Sequence, residues 1–280
     1  MAGIAILPAS QRGRLKMVVT RLTLLSLLRR YATTYVVLVV LAVICTSWSL
    51  IALPAYFVLT RSRGAALGRQ GIMRSCRAYV WTLRFLRAYH LDLTGLEPLR
   101  EESGIILAPN HPHLIDALLL LTINPNIVCI LKSQLLNNAF LGTGSRLARY
   151  IRNDVPRRMI IDSVTALKDG SVLLLFPEGT RTVHFPINEL QLTVGTIAKH
   201  AHVAVQTLLI ETDSPYSSKG WPLFRVPNLP ISYRIRLGRR FNAPSDVRRF
   251  TVELADYFAE ELAGSPLGAW LPARGSDRIG

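Results

Sequence analysis

Residues Tyr35 to Leu59 run for 25 positions without one charged side chain, and both flanks are basic, with Arg29 and Arg30 before and Arg61 and Arg63 after. About 20 helical residues cross the hydrocarbon of a bilayer, so this run is long enough to span it once. No charge breaks it on any face, so it fits the buried helix of a soluble core less well. Matched arginine flanks give the positive-inside bias no side to prefer. A re-entrant pair of short helices, turning near Ser47 to Ser49 in the polar stretch Thr46-Ser47-Trp48-Ser49, keeps both flanks on one face and is the expectation; a single span is the alternative. Residues 1 to 31 mix leucines with basic residues and show no small-residue cleavage site after a short apolar core, so a cleaved signal peptide is not expected.

The charge is distributed to match. The chain carries a net charge of +15, yet no acidic residue precedes Asp92 while 13 basic ones do, which leaves 20 basic against 18 acidic in the remainder. Clustered Lys and Arg suit nucleic-acid phosphates in principle. Here they flank the most apolar run of the protein, which points to an anionic lipid surface and away from nucleic acid. After Gly71, Ile72, Cys76, Tyr79, Leu83 and Leu86 recur at helical spacing with Arg74, Arg77, Arg84 and Arg87 on other faces. This predicts an amphipathic helix over about 71–90 that lies on the lipid interface. Cys45, Cys76 and Cys129 are widely spaced with no C-x-x-C pair, so they read as apolar fillers in a reducing, cytoplasm-facing domain.

From Leu91 the pattern alternates between strands and helices. Strands are expected at Gly104 to Ala108, Ile127 to Lys132, Ser171 to Phe176, Val203 to Ile210 and Ile231 to Leu237. Helices are expected at Leu114 to Thr122, Gln134 to Tyr150, Met159 to Lys168, Leu190 to His200 and Ser245 to Leu262. The class is α/β, a mixed, mostly parallel sheet flanked by helices with an N-terminal membrane-anchoring helical segment. The organisation follows as a basic membrane-binding region over 1–91, a catalytic domain over 92–263, and a poorly ordered tail over 264–280 rich in Gly, Pro and Ser.

Two polar turns stand at the ends of expected strands. Asn110-His111-Pro112-His113-Leu114-Ile115-Asp116 follows the first, and Pro177-Glu178-Gly179-Thr180-Arg181 follows Ser171 to Phe176. Ligands bind at such strand ends in α/β sheets. A histidine with an aspartate five positions on, across a helix start, can form a base with its orienting carboxylate, the pair needed to take a proton from an alcohol. A guanidinium beside a glycine can clamp a phosphate that approaches the backbone.

Together the two motifs, about 60 residues apart, resemble the glycerolipid acyltransferase family, whose members move a fatty acyl group from a thioester to a hydroxyl of glycerol phosphate or of a lysophospholipid. The resemblance covers residues 104 to about 210. It implies a membrane-bound O-acyltransferase of phospholipid biosynthesis at the cytoplasmic face of the cell membrane, with His111 as general base and Asp116 as its orienter. It implies an acyl-CoA or acyl-carrier protein co-substrate, a membrane lipid as partner and no bound cofactor or metal. It carries acceptor head-group binding to Glu178, Gly179, Thr180 and Arg181, and a second binding block to Lys132 and Arg152. It also fits the helical hairpin, since bacterial members can carry a two-helix membrane anchor.

The chain departs from the family at three places. Arg152 stands one place early in Tyr150-Ile151-Arg152-Asn153-Asp154, Leu190-Gln191-Leu192-Thr193 lacks the usual basic residue, and Val203-Ala204-Val205-Gln206-Thr207 lacks the usual proline. These departures leave the acceptor open between 1-acylglycerol-3-phosphate and a specialised lipid or amphiphilic alcohol. No activated serine or cysteine is evident, so the acceptor is expected to attack directly. His113 reads as a helix-start residue. A metallohydrolase built on His111, His113 and Asp116 is the remote alternative, and it lacks further placed ligands. A membrane-binding protein without catalysis is the third class, which the intact motifs argue against.

Overall fold

The computed structural model describes residues 9–138 and 142–272. Its centre is a seven-stranded sheet in the order β1-β7-β6-β2-β5-β3-β4, built from β1 (Tyr89–Asp92), β2 (Ile106–Pro109), β3 (Ile127–Leu131), β4 (Ile151–Arg152), β5 (Val172–Leu174), β6 (Val205–Thr212) and β7 (Ile231–Phe241). β6, β2, β5, β3 and β4 are mutually parallel; β7 pairs antiparallel with β6, and β1 runs parallel to β7. Parallel strands covered on both faces need continuous apolar runs. β2 and β5 meet that need, with Ile106, Leu107, Ala108, Val172, Leu173 and Leu174 all buried.

Helices α3 (Asp116–Leu120), α4 (Ser133–Leu136), α5 (Gly142–Leu147), α6 (Pro156–Lys168), α7 (Thr193–Ala201) and α8 (Val247–Leu262) make the connections and cover the sheet. The single helix expected over Gln134 to Tyr150 is divided into α4 and α5, and residues 139–141 lie outside the described residues. β1 and β4 had no counterpart in the expected strands. The boundary expected at residue 92 therefore falls inside β1, which is already part of the sheet.

The N-terminal region forms a helical hairpin, but not the expected one. α1 (Ala9–Val58) runs unbroken through Ser47 to Ser49 and through Pro54, and the chain turns at Leu59 and Thr60 into α2 (Arg61–Phe85). Hydroxyls along α1 are met by the helix itself: Thr34 and, beside the expected turn, Thr46 donate to the carbonyls four residues back, at 2.8 Å each. Glycines let the two helices and α5 close together. A Cβ at Gly71 would fall 1.9 Å from the Trp48 ring, and one at Gly144 would fall 2.5 Å from the same indole. Only glycine leaves room for Trp48 between α2 and α5.

The apolar side of α2 also departs from the expectation of an interfacial helix. Met73, Cys76, Tyr79, Val80 and Leu83 are buried, with Cys76, Tyr79, Val80 and Leu83 inside the core of the domain, so that face packs protein, not lipid. α1 behaves differently. Thr34, Val37, Ser49 and Ala52 turn inward, while Leu24, Leu28, Tyr31, Tyr35, Val39, Val43, Leu50, Leu53 and Phe57 form an exposed apolar stripe. Thr23–Val58 is long and apolar enough to cross a membrane by length and composition.

The segment after α8 corrects the expectation of a tail beginning at Gly264. Ser265 caps a short 3-10 helix over Pro266–Ala269, Leu267 and Leu271 are buried, and the Phe185 N–H donates to the Pro272 carbonyl at 2.7 Å. Residues 273–280 lie outside the described residues.

Candidate active site

β2 delivers its polar turn to the carboxyl end of the sheet, and Asn110 pins it there. Its buried amide donates to the Ile210 carbonyl at 2.9 Å and accepts the Ile210 N–H at 2.7 Å, fastening the turn to β6. The next residues fold back toward α3. His111 Nδ1 lies 2.8 Å from Asp116 Oδ2, and that oxygen also accepts the His113 backbone N–H at 2.8 Å. Asp116 is fully buried, whereas 16% of the His111 side chain remains open to solvent. With Nδ1–H directed at the carboxylate, Nε2 is the ring nitrogen free to take a proton. Burial pushes the Asp116 carboxyl above its ordinary range, and the bonds from His111 and the His113 N–H pull it back.

β5 brings the second turn alongside. Phe176 stacks under the His111 ring at 3.8 Å between centroids and 20° between planes. Gly179 takes a positive φ of +65°, which the turn requires and which L side chains resist. Glu178 does not face outward. Its buried carboxylate accepts the His111 N–H at 2.9 Å, the Thr182 hydroxyl at 2.7 Å and the Asn188 N–H at 3.0 Å, so it braces the two turns against each other. Its expected contact with an acceptor head group is therefore unavailable to it. Burial raises its carboxyl pKa, against the pull of those three donors.

Arg181 is half-buried. Its Nη1 donates to the Ser217 and Ser218 carbonyls at 2.9 and 2.8 Å, and its other guanidinium nitrogens have no partner among the described residues. Thr180 and Gly179 remain accessible beside it. Lys132 is exposed at the end of β3, two strands from β2 and so about 10 Å across the sheet. Arg152 is a strand further out and is held by Asp154 at 2.5 Å, so it does not converge on His111.

His113 does not join His111. It is fully buried, its ring 5.8 Å from Tyr233 and 5.2 Å from Trp270, and neither ring nitrogen has a hydrogen-bond partner. That burial, offset only in part by the Ser214 backbone beside the ring, brings its pKa down to about 3. No group of three or more His, Cys, Asp or Glu side chains among the described residues could hold a metal. Cys76 and Cys129 are buried away from the turns, with the Cys76 thiol pushed up to about 12 by burial. Phe176, Thr182, Asn188 and the Ser217–Ser218 carbonyls are contributors that sequence reasoning missed. Only Phe176 and Thr182, which flank the second motif directly, carried a signal in their position.

The acyltransferase family profile matches residues 90–211, which include both turns. This chain carries an acyltransferase domain. The domain is similar to the 1-acyl-sn-glycerol-3-phosphate acyltransferase of Pseudomonas aeruginosa, with 24% identity over 186 residues covering 64% of this chain and 70% of the relative. Its fold matches the crystal structure of the 1-acyl-sn-glycerophosphate acyltransferase of Thermotoga maritima with a TM-score of 0.66 and 16% identity, over 85% of this chain and 97% of that one. The resemblance read from the two motifs thus meets a family match and a curated relative, and the acyltransferase domain has the mixed sheet and flanking helices that the resemblance implied.

Proposed function

We propose that this acyltransferase moves a fatty acyl group from a thioester, acyl-CoA or acyl-carrier protein, to the hydroxyl of a lysophospholipid such as 1-acylglycerol-3-phosphate, at the cytoplasmic face of the membrane. The observation that carries the reading is the His111–Asp116 pair, 2.8 Å apart beneath an accessible imidazole. In the step, His111 Nε2 takes the acceptor's hydroxyl proton as the oxygen attacks the thioester carbonyl. The C–O bond forms, the tetrahedral intermediate collapses with loss of the C–S bond, and the imidazolium returns the proton to the departing thiolate. Asp116 holds the ring and favours the imidazolium. Cys76 and Cys129 are buried and disfavoured as thiolates, which supports direct attack by the acceptor over an acyl-enzyme.

Arg181, with its remaining donors free, supplies the cation for an acceptor phosphate, and Lys132 is a second exposed cation at the same end of the sheet. The exposed stripe of α1 supports a membrane location. A second reading keeps the chemistry and changes the acceptor to a specialised lipid alcohol. It is favoured by Gln191, whose side chain stands beside Gly179 in the stretch from Leu190 to Thr193 that has no basic residue. The test is mass spectrometry of the products formed by purified protein from an acyl thioester and lysophosphatidic acid, with His111→Ala as the control. Formation of the diacyl phosphate only by the wild type supports the first reading. Acylation of other lyso-lipids alone moves the acceptor to the second.

A further inference from the structure

The segment between β6 and β7 contains a tight turn whose composition is the reverse of what turns favour. The Arg225 N–H donates to the Pro222 carbonyl at 3.0 Å, which makes Leu223 and Phe224 its two central residues. Small polar residues dominate such positions. Here two large apolar side chains stand 53% and 68% exposed at the tip. The turn is firmly built. Trp221 Nε1 donates to the Arg225 carbonyl at 3.1 Å, the Arg225 guanidinium lies 4.7 Å above the Trp221 ring, and Arg30 of α1 donates twice to the Pro227 carbonyl, at 3.1 and 3.0 Å. A rigid support that holds apolar groups in water has an occupant to meet.

The surroundings favour one occupant. Lys219 and Arg225 flank the tip, and residues 214 to 230 contain no acidic side chain. Through Arg30 the segment is tied to α1 beside the exposed Leu27, Leu28 and Tyr31, so two exposed apolar groups of side chains are anchored to each other. Apolar side chains framed by cations suit an anionic bilayer surface, where lysine and arginine meet phosphates and the tip enters the acyl boundary. The same segment reaches the site: the Ser217 and Ser218 carbonyls accept Arg181, and Ser217 also accepts the Leu114 N–H at 3.1 Å.

We propose that the turn from Lys219 to Pro227 is a second membrane-docking element, separate from the helical hairpin, that inserts Leu223 and Phe224 into an anionic bilayer and positions Arg181 for an acceptor presented there. The role given to Arg181 rests on the proposed function; the docking does not. The test places a fluorophore at Phe224→Cys in a full-length Cys45→Ser background, with Val252→Cys on α8 as the exposed control, in vesicles of phosphatidylglycerol and phosphatidylcholine. Lipids brominated in their acyl chains should quench position 224 several-fold more than position 252. Equal quenching at the two positions, shielding of 224 that develops with protein concentration in the absence of lipid, or failure of the protein to associate with the vesicles would each overturn the docking. A Leu223→Ser, Phe224→Ser double variant should raise the apparent KM for bilayer-presented acceptor about tenfold and leave that for a monomeric short-chain acceptor unchanged. Equal effects on both would overturn the link to Arg181, whereas absence of acyl transfer by the wild type would remove the proposed function and leave the quenching result to stand.

Discussion

One carboxylate oxygen, Asp116 Oδ2, both holds the His111 imidazole and closes the turn by accepting the His113 N–H. The two duties separate on mutation. His111→Ala is expected to lower kcat by about 10² to 10⁴, the usual value of general-base assistance, because the other His, Asp and Glu side chains of the two turns, His113, Asp116 and Glu178, are buried. Asp116→Asn keeps the imidazole and, with its amide oxygen in the place of Oδ2, can keep both bonds, so it should lose less rate; its NH₂ then falls at the fully buried position of Oδ1, which has no partner. A buried donor left unsatisfied costs about 1 to 3 kcal/mol. Turnover and thermal melting of both variants check this, and a larger rate loss in Asp116→Asn than in His111→Ala would contradict the assignment of the base.

Glu178 is expected to behave as a brace and not as a substrate ligand. Gln at this position would present an NH₂ where Oε1 or Oε2 now accepts from a backbone N–H, at a cost of about 1 to 3 kcal/mol. Glu178→Gln should therefore lower the melting temperature and reduce kcat through the displaced His111 turn, with little change in acceptor KM. An unchanged melting temperature with a raised KM would restore the head-group role.

The difference between these residues marks what could be read in the chain beforehand. His111 and Asp116 were legible because their partnership is local, across one helix start. The inward direction of Glu178 was not, because two of its partners, His111 and Asn188, lie 67 and 10 residues away. The long strands β6 and β7 were visible as β-rich runs, whereas β4 is two residues long and β1 is a four-residue edge strand containing His90 and Asp92. The turn expected at Ser47 to Ser49 fails for a tertiary reason: Trp48 needs the gap left by Gly71 and Gly144 on other helices, so that stretch of α1 is held straight by packing. The Gly264 to Pro272 segment looked unstructured by composition, and its order comes from Leu267, Trp270 and Leu271 finding sites on the domain.

Arg181→Ala should produce two losses that can be told apart. Removing Nη1 frees the Ser217 and Ser218 carbonyls and shifts that loop for every acceptor. Removing the cation costs a phosphate acceptor an additional 1.5 to 3 kcal/mol or so, about 10- to 150-fold in binding. The ratio of the apparent affinity losses on lysophosphatidic acid and on a phosphate-free lyso-lipid isolates the second term. A ratio near one would remove Arg181 as the phosphate clamp.

His113 sets a stability limit on the acid side. Its folded pKa is about 3, well below the ordinary imidazole value, because the ring is buried between Tyr233 and Trp270, an effect that the Ser214 backbone offsets only in part. Below about pH 6.5 the unfolded chain takes up a proton there that the folded chain refuses, so the group subtracts stability as pH falls, down to about pH 3. Between pH 6.5 and 5 the loss is about 2 kcal/mol. Asp116 and Glu178 work with the opposite sign: burial raises their carboxyl pKa, so the folded state holds those protons longer and their contribution favours lower pH. The quantity to measure is therefore the difference in unfolding free energy between wild type and His113→Asn across this range. It should change by about 2 kcal/mol in the direction of relative acid tolerance for the variant, and parallel pH profiles for the two proteins would show that the His113 ring finds a proton acceptor in the folded state.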